Sequence, residues 1–224
     1  MVDVKFDSKY MLKYKNVVGI DEVGRGALAG PVVAAAVRLN KWVDGVDDSK
    51  RLSAKKREEM VEKIVLNAQV AFGMATPTEI DLYNIVGATK LAMQRAYQNL
   101  NIQGFALIDG LEMGFDFPHE SVVRGDGKSP SIAAASIMAK VFRDEIMKKV
   151  STFFQGYGFE HNVGYATKQH LQAIKEKGPT LFHRLTFEPV KEALTLELIR
   201  KWKNDRKLAE DRLRGKTLQL FSNL

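Results

Sequence analysis

Four carboxylate residues lie where the sequence predicts that β-strands end or pass into a helix. In sheets flanked by helices, functional side chains gather at the carboxyl ends of the strands. Hard divalent cations such as Mg²⁺ bind carboxylate oxygens, and two such ions can activate a water and stabilise a leaving oxygen in phosphodiester cleavage. The four candidate ligands are Asp21, Glu22, Asp109 and Asp126.

Each of these carboxylates also has an ordinary structural interpretation. An acidic residue before a helix can stabilise the helix N-terminus by up to about 1 kcal/mol, and turn residues are often charged because they are solvated. Asp21 and Glu22 are consecutive, and consecutive side chains of a strand face opposite sides. The pair can share one site only if the strand bends or ends between them, which Gly24 and Gly26 would allow.

The composition excludes several other chemistries. The 224 residues contain no cysteine, which excludes disulfides, thiolate zinc sites and a cysteine nucleophile. The sequence has neither a Walker-type phosphate loop nor a His-Glu-x-x-His pair. A net charge of +7 favours polyanionic partners such as nucleic acids. Because we find no signal peptide and no apolar run long enough to span a bilayer, we expect a cytoplasmic protein with no membrane partner.

The order of predicted elements indicates how the carboxylates are positioned. Residues 1–16 are polar, which predicts a flexible or lightly packed lead-in. Three early strands followed by alternating helices and strands predict an α/β fold, a mixed sheet flanked by helices. With no evident linker, we expect a catalytic domain at residues 1–190 and a helical extension at residues 191–224. The predicted strands cover 17–21, 31–39, 68–75, 105–109 and 120–124, and the predicted helices cover 53–66, 85–100, 131–150, 169–176 and parts of 190–213, with 183–189 extended.

Five segments resemble signatures of the ribonuclease HII family. They occur in the order expected for that family and together span about residues 16–190. Two positions depart from the family pattern without removing a functional group: Ala27 stands where proline is usual, and Gly127 where alanine is common. The segments are Asp21-Glu-Val-Gly-Arg-Gly-Ala-Leu-Ala-Gly-Pro31, Asp48-Ser-Lys-Arg-Leu52, Ile108-Asp-Gly110, Gly125-Asp-Gly-Lys-Ser-Pro-Ser-Ile-Ala-Ala-Ala-Ser-Ile-Met-Ala-Lys140 and Gly164-Tyr-Ala-Thr-Lys-Gln-His170.

The resemblance implies a ribonuclease H-like fold with a five-stranded mixed sheet and a metal-dependent endonuclease. The implied substrates are RNA/DNA hybrids and DNA duplexes that contain ribonucleotides. Cleavage would occur 5′ to the ribonucleotide and leave a 3′-hydroxyl and a 5′-phosphate, in the service of ribonucleotide removal from DNA. The implied cofactor is Mg²⁺ or Mn²⁺ at a two-ion site. The residues implied as metal-binding and catalytic are Asp21, Glu22, Asp109 and Asp126.

The resemblance also implies a set of substrate contacts. Gly24-Arg25-Gly26 and Tyr165 would read the ribonucleotide at its junction with DNA, since a protein distinguishes RNA from DNA by contacting the 2′-hydroxyl. Glycines let backbone groups approach a sugar closely. Lys50, Thr167 and Lys168 are candidate phosphate contacts. The ordinary interpretations are a loop tyrosine packed on the core and solvated surface lysines.

Alternatives to this interpretation remain open from the sequence. One is a nuclease of the same fold with another substrate preference, such as a DNA junction nuclease or an enzyme that needs a run of ribonucleotides. Another is a duplex-binding module with an inactive acidic site. The basic stretch 200–207 fits either a duplex contact or an ordinary helix surface with Trp202 on the core. We expect a monomer, and residues 218–224 are similar to a tail that binds a sliding clamp.

Overall fold

A computed structural model of the chain describes residues 2–46 and 52–205, together with residues 207 and 212. Its strands are β1 (Val17–Val23), β2 (Val32–Leu39), β3 (Ala68–Ala75), β4 (Phe105–Asp109) and β5 (His119–Val122). They form one sheet in the order β3-β2-β1-β4-β5. β1 is antiparallel to β2 and parallel to β4, and β4 is parallel to β5, so the predicted mixed five-stranded sheet is confirmed.

Most helices begin close to their predicted positions. Ser53 and Thr167 are side-chain N-caps, as their residue types favour, of the helices that follow them. The 85–100 helix starts earlier than predicted, at Pro77, with a break at Asn84, where φ is 58°. The helices are α1 (Val4–Met11), α2 (Ala54–Asn67), α3 (Pro77–Leu100), α4 (Pro130–Ser151), α5 (Phe159–Asn162), α6 (Lys168–Lys177) and α7 (Leu196–Asn204), and 3₁₀ turns cover Gly125–Gly127 and Lys191–Ala193.

The chain divides into two compact units. The first contains Met1–Val23, Val33–Met74 and Thr89–Arg143, and the second contains Gly24–Val32, Ala75–Ala88 and Asp144–Leu224. The boundary that the sequence predicts at residue 190 stays a prediction. Within the described residues, no helix has the length and apolar character that crossing a membrane requires.

Close contact between α4 and the sheet defines the first unit. A Cβ atom built on Gly19 of β1 would lie 2.0 Å from the backbone carbon of Ser131 in α4, so only glycine fits there. The buried alanines 133–135 of α4 share a core cluster with Ala35 of β2 and Met60 of α2. The close helix–sheet packing that the alanine run predicts is therefore present.

The N-terminal segment differs from its prediction. Residues 4–11 form α1, and its side chains Asp7 and Tyr10 are buried. Asp7 accepts hydrogen bonds from the Ser129 hydroxyl at 2.6 Å and from the Ser131 N–H at 2.9 Å, at the start of α4. The prediction of a lightly packed lead-in is therefore wrong. The sequence does not show these contacts, because Ser129 and Ser131 lie 122 and 124 residues from Asp7 along the chain.

The second unit has its own apolar core, formed by loops and short helices. Phe159, Ile174 and Trp202 belong to one buried cluster, and Trp202 is only 8% exposed. The interpretation that places Trp202 on the core is therefore correct. Residues 183–189 form turns rather than the predicted extended segment, and their one isolated bridge among the described residues joins Ala29 to His183.

Candidate active site

Two of the predicted carboxylates lie on neighbouring parallel strands, close to where these strands end. Ile20 of β1 is in register with Ile108 of β4, and the next residues are Asp21, within β1, and Asp109, the last residue of β4. This is the arrangement expected when the carboxyl ends of parallel strands meet at one edge. Asp21 is buried, with 5% of its surface exposed, and Asp109 is half-buried.

Like charges surround Asp21. Burial, followed by the carboxylates of Glu22 and Asp109, raises the pKa of Asp21 well above its usual range. Hydrogen bonds from the Ser136 hydroxyl of α4 and from the Glu22 N–H, the latter 2.7 Å from Asp21 Oδ1, oppose this shift. The structure thus brings three of the four predicted carboxylates within electrostatic reach of one another.

Glu22 reaches this group without the strand break that the sequence analysis requires. β1 continues to Val23, and Glu22 pairs with Ala34 while Val23 pairs with Val33 in β2. The predicted end of this strand at Asp21 is therefore wrong, since pairing continues to Val23. Gly24 follows β1 directly, with φ at 93°, so the chain leaves the strand two residues after Glu22.

The turn that carries Asp126 is tied to the end of β4. The Gly125 N–H donates a hydrogen bond to Asp109 Oδ1 at 2.5 Å. A Cβ atom on Gly125 would lie 2.5 Å from Ile132 Cδ1 and 3.2 Å from Asp109 Oδ1, so glycine permits this close approach. Asp126 is buried in the 3₁₀ turn between β5 and α4. Asp21, Glu22 and Asp109 therefore lie near the ends of β1 and β4, and the turn that carries Asp126 is hydrogen-bonded to Asp109.

The donor set fits a hard divalent cation. Carboxylate oxygens are the ligands that Mg²⁺ and Mn²⁺ prefer, and a cation would offset both the burial and the mutual repulsion that raise the pKa of Asp21. No three histidine, aspartate or glutamate side chains in the described ranges already have the geometry of a metal site. The residue types therefore fit a cation site, but the structure does not show which carboxylate would bind which ion.

The predicted sugar-reading turn belongs to the second unit. Gly24 is buried, whereas Arg25 and Gly26 are exposed. The fully buried guanidinium of Arg184 donates hydrogen bonds to the carbonyl oxygens of Gly24 at 2.6 Å and Arg25 at 2.7 Å. Arg184 is thus a support for this turn, from a part of the chain about 160 residues away in sequence.

Tyr165 lies in a loop with a similar kind of support. Its carbonyl oxygen accepts hydrogen bonds from the Thr167 N–H at 2.8 Å and from His170 Nδ1 at 2.9 Å. His170 Nε2 lies 3.1 Å from Nε2 of His183, and both rings are fully buried. The Tyr165 side chain itself is half-buried.

Two of the three candidate phosphate contacts, Thr167 and Lys168, lie within the described residues. Thr167 is exposed, and its hydroxyl accepts a hydrogen bond from the His170 N–H as the N-cap of α6. Lys168 is exposed in the first turn of the same helix. Lys50 lies outside the described residues, as does the 218–224 tail.

Sequence reasoning missed the roles of Arg184, His170 and His183. The partners of Arg184 lie 154 to 160 residues away, beyond any local pattern. His170 has its partner Tyr165 only five residues away, but no periodicity or spacing in the sequence shows that its ring is buried. The only signal in the sequence is a His-Arg dipeptide at 183–184, directly after the helix-breaking Gly178-Pro179.

Comparison with known proteins agrees with this geometry. A family model described as Ribonuclease HII matches residues 18–190. The ribonuclease HII of Thermotoga maritima is 48% identical over 207 residues, which cover 92% of this chain and 87% of that protein.

Solved structures show the same fold. The crystal structure of the ribonuclease H2 from Pyrococcus horikoshii OT3 matches with a TM-score of 0.67 and 24% identity, covering 83% of this chain and 99% of that chain. The crystal structure of Bst-RNase HIII in complex with Mn²⁺ matches with a TM-score of 0.61 and 20% identity, covering 83% of this chain and 70% of that chain. The solved structures show the fold, and the family model and the 48% identical relative establish that the chain belongs to the ribonuclease HII family and is an endonuclease of the ribonuclease H type.

Proposed function

We propose that the protein is a divalent-metal-dependent endonuclease that cleaves the phosphodiester bond 5′ to ribonucleotides. Its substrates are RNA/DNA hybrids and DNA duplexes with a single embedded ribonucleotide, and its products carry a 3′-hydroxyl and a 5′-phosphate. The observation that carries this proposal is the concentration of acidic groups near the ends of β1 and β4, where Asp21, which is buried, and Asp109 each follow one residue of the in-register pair Ile20 and Ile108, and Glu22 is next to Asp21.

The metal ligands we propose are the carboxylates that the sequence singles out. When bound, Mg²⁺ or Mn²⁺ supplies an activated water and stabilises the developing charge on the leaving oxygen. The protein's part is to hold oxygen ligands at a fixed sheet edge and to limit water around Asp21, which is 5% exposed. The proposed ligands are Asp21, Glu22, Asp109 and Asp126.

Recognition of the ribonucleotide belongs to the second unit. Gly24-Arg25-Gly26 offers exposed backbone and a cationic side chain, and Tyr165 offers a ring and a hydroxyl. These groups can contact a sugar and its 2′-hydroxyl, the atom that distinguishes RNA from DNA. Thr167 and Lys168, both exposed, would contact phosphates and position the duplex without reading sequence.

One duplex tests the proposal. It carries a single ribonucleotide within DNA and is incubated with Mg²⁺ or Mn²⁺, with and without a chelator, beside an all-DNA duplex and a long RNA/DNA hybrid. We expect cleavage 5′ to the ribonucleotide in the first duplex, 3′-hydroxyl and 5′-phosphate ends, no cleavage of DNA alone, and no activity in chelator.

The same assay separates the rival functions. Cleavage of long hybrids without cleavage at the single ribonucleotide would assign the protein to enzymes that need a run of ribonucleotides. Binding to all duplexes without cleavage under any metal would identify a non-catalytic duplex-binding module. Ribonucleotide removal from DNA, contact with a sliding clamp, a monomeric state and a cytoplasmic location stay predictions.

A further inference from the structure

We infer that His170 and Arg184 are positioning residues for ribonucleotide recognition. Arg184 fixes the backbone of the Gly24–Arg25 turn, and His170, whose tautomer is set by His183, holds the loop that carries Tyr165. The inference rests on the proposed function, because the two segments held are the proposed sugar-reading segments. These positioning residues do not themselves touch the substrate.

The Arg184 side chain holds the Gly24–Arg25 turn and also binds Gly30, where the loop after β1 ends. Its Nε donates to the Gly30 carbonyl oxygen at 3.1 Å, and its two terminal nitrogens donate to the carbonyl oxygens of Arg25 at 2.7 Å and Gly24 at 2.6 Å. A guanidinium is planar and its donors have fixed relative directions. One rigid group therefore sets the orientation of three carbonyls, and the ring of Phe187, 5.1 Å from the guanidinium carbon, covers it.

This clamp determines where the backbone donors of the turn point. The peptide bonds that follow Gly24 and Arg25 are trans, so each N–H points opposite to the preceding carbonyl. With the two carbonyls aimed at the buried guanidinium, the N–H groups of Arg25 and Gly26 are directed away from it. Both of these residues are exposed, so the clamp presents backbone donors where a sugar hydroxyl can approach.

The histidine pair forms a chain of hydrogen bonds with one consistent direction. The Thr180 N–H donates to His183 Nδ1 at 3.0 Å, so the neutral ring of His183 carries its proton on Nε2. That proton points to His170 Nε2 at 3.1 Å, which leaves the His170 proton on Nδ1 for the Tyr165 carbonyl at 2.9 Å. Burial lowers the pKa of both rings, which is consistent with two neutral tautomers.

The 183–184 segment is itself firmly attached within the second unit. The Arg184 N–H donates to the Leu28 carbonyl at 2.9 Å, and the Leu28 N–H donates to the Gly164 carbonyl at 2.8 Å. Asp81 accepts hydrogen bonds from the Leu185 N–H at 3.1 Å and from Arg212 Nε at 2.8 Å. The sugar-reading turn, the Tyr165 loop and this segment are therefore mutually fixed, and a misplacement of about 1 Å can cost about 100-fold in rate.

Two substitutions of one residue test the histidine arm. In His170→Asn the amide NH₂ lies near the former Nδ1 and can still donate to the Tyr165 carbonyl. In His170→Gln the amide lies near the former Nε2 and cannot. We expect His170→Asn to keep the cleavage rate at a single embedded ribonucleotide within about threefold, whereas His170→Gln lowers kcat by about tenfold or more while KM for the duplex changes little.

A double-mutant cycle separates positioning from loss of folding. If His170 acts through Tyr165, His170→Gln should cause no further loss of kcat in a Tyr165→Ala background. Arg184→Lys keeps the charge and loses the planar fork, so kcat should fall by about 100-fold with KM little changed. Thermal unfolding confirms that each variant is folded at the assay temperature, and if Arg184→Lys is not, the His170 cycle decides.

The outcomes distinguish this inference from the proposed function. If the wild-type protein does not cut the embedded ribonucleotide, the proposed function and the inference are both wrong. If it cuts, Tyr165→Ala is impaired, and His170→Gln either matches the wild type or adds its full loss to that of Tyr165→Ala, only the inference is overturned. A loss in His170→Gln, rescue in His170→Asn and no added loss in the double variant support it.

Discussion

The carboxylates of the first unit stand on or directly beside regular strands, whereas the sugar-reading segments of the second unit are loops held by buried polar side chains. Asp21 and Asp109 take their positions from the register of β1 and β4. The Gly24–Arg25 turn and Tyr165 take theirs from Arg184 and His170. Backbone ladders already satisfy the polar groups of the first region, while the second needs side chains to satisfy backbone carbonyls that have no strand or helix partner.

The difference shows what each region cannot tolerate. The first depends on shape, because β1 and α4 approach so closely that a single added methyl group does not fit at Gly19. The second depends on complete hydrogen bonding, because a buried donor or acceptor left without a partner costs about 1–3 kcal/mol. Substitutions that change volume should therefore damage the first region most, and changes in protonation should damage the second.

A methyl group at Gly19 should have the largest effect on stability. In Gly19→Ala the new Cβ would lie 2.0 Å from the Ser131 backbone carbon, and a backbone cannot move aside as a side chain does. We expect a loss of about 3 kcal/mol in the free energy of unfolding, measured by urea denaturation. Gly127→Ala is the matched control, because a Cβ there meets nothing within 4 Å. Equal stability of the two variants would contradict the close contact of β1 and α4.

Acid should weaken the second unit through its histidine pair. Burial, with His170 and Arg212 nearby, lowers the pKa of His183 to about 3, and burial also lowers the pKa of His170. Between pH 6.5 and about 3 the unfolded chain binds more protons than the folded one, so the histidine contribution to stability is full above pH 6.5 and declines as pH falls. For a histidine with a folded pKa as low as that of His183, the slope approaches about 1.4 kcal/mol per pH unit.

The comparison must isolate the histidines from groups that act in the opposite direction. Burial raises the pKa of Asp7 and of Asp21, and such carboxyls favour the folded state at low pH. The measurement is therefore the difference in unfolding free energy between the wild type and His170→Asn from pH 7 to pH 4. We expect a flatter dependence in the variant, and none of this flattening in His161→Asn, whose side chain is 79% exposed. Parallel curves for all three proteins would show that His170 binds protons equally in the folded and the unfolded chain, which would contradict this prediction.

Most of the sheet and its carboxylates could be predicted from the sequence because their signals are local. The apolar run at 105–108 indicates a buried strand that ends at Asp109, and Ser53 marks the start of α2. The alanine run of α4 indicates close packing without identifying Gly19 as its partner. Local periodicity therefore predicts the elements and their ends, while the partner across the interface needs the fold.

The support of the Gly24–Arg25 turn could not be predicted, because Arg184 bonds carbonyls 154 to 160 residues away. The support of the Tyr165 loop is close in sequence, but only the fold shows that the His170 ring is buried and faces His183. Burial of Asp7 in α1 was missed for the same reason. The resemblance to a family identified the turn and Tyr165, but not what holds them.

Whether the ends of β1 and β4 form the metal-dependent active site is tested most directly by comparing Asp109→Asn with Asp116→Asn on a duplex that carries one embedded ribonucleotide. Both variants make the same chemical change in the first unit, and Asp116 is exposed. We expect Asp109→Asn to bind the duplex within about twofold of the wild type but to cleave it more than about 100-fold more slowly, while Asp116→Asn cleaves normally. Cleavage by Asp109→Asn at the wild-type rate would contradict the assignment of this sheet edge as the metal-dependent active site.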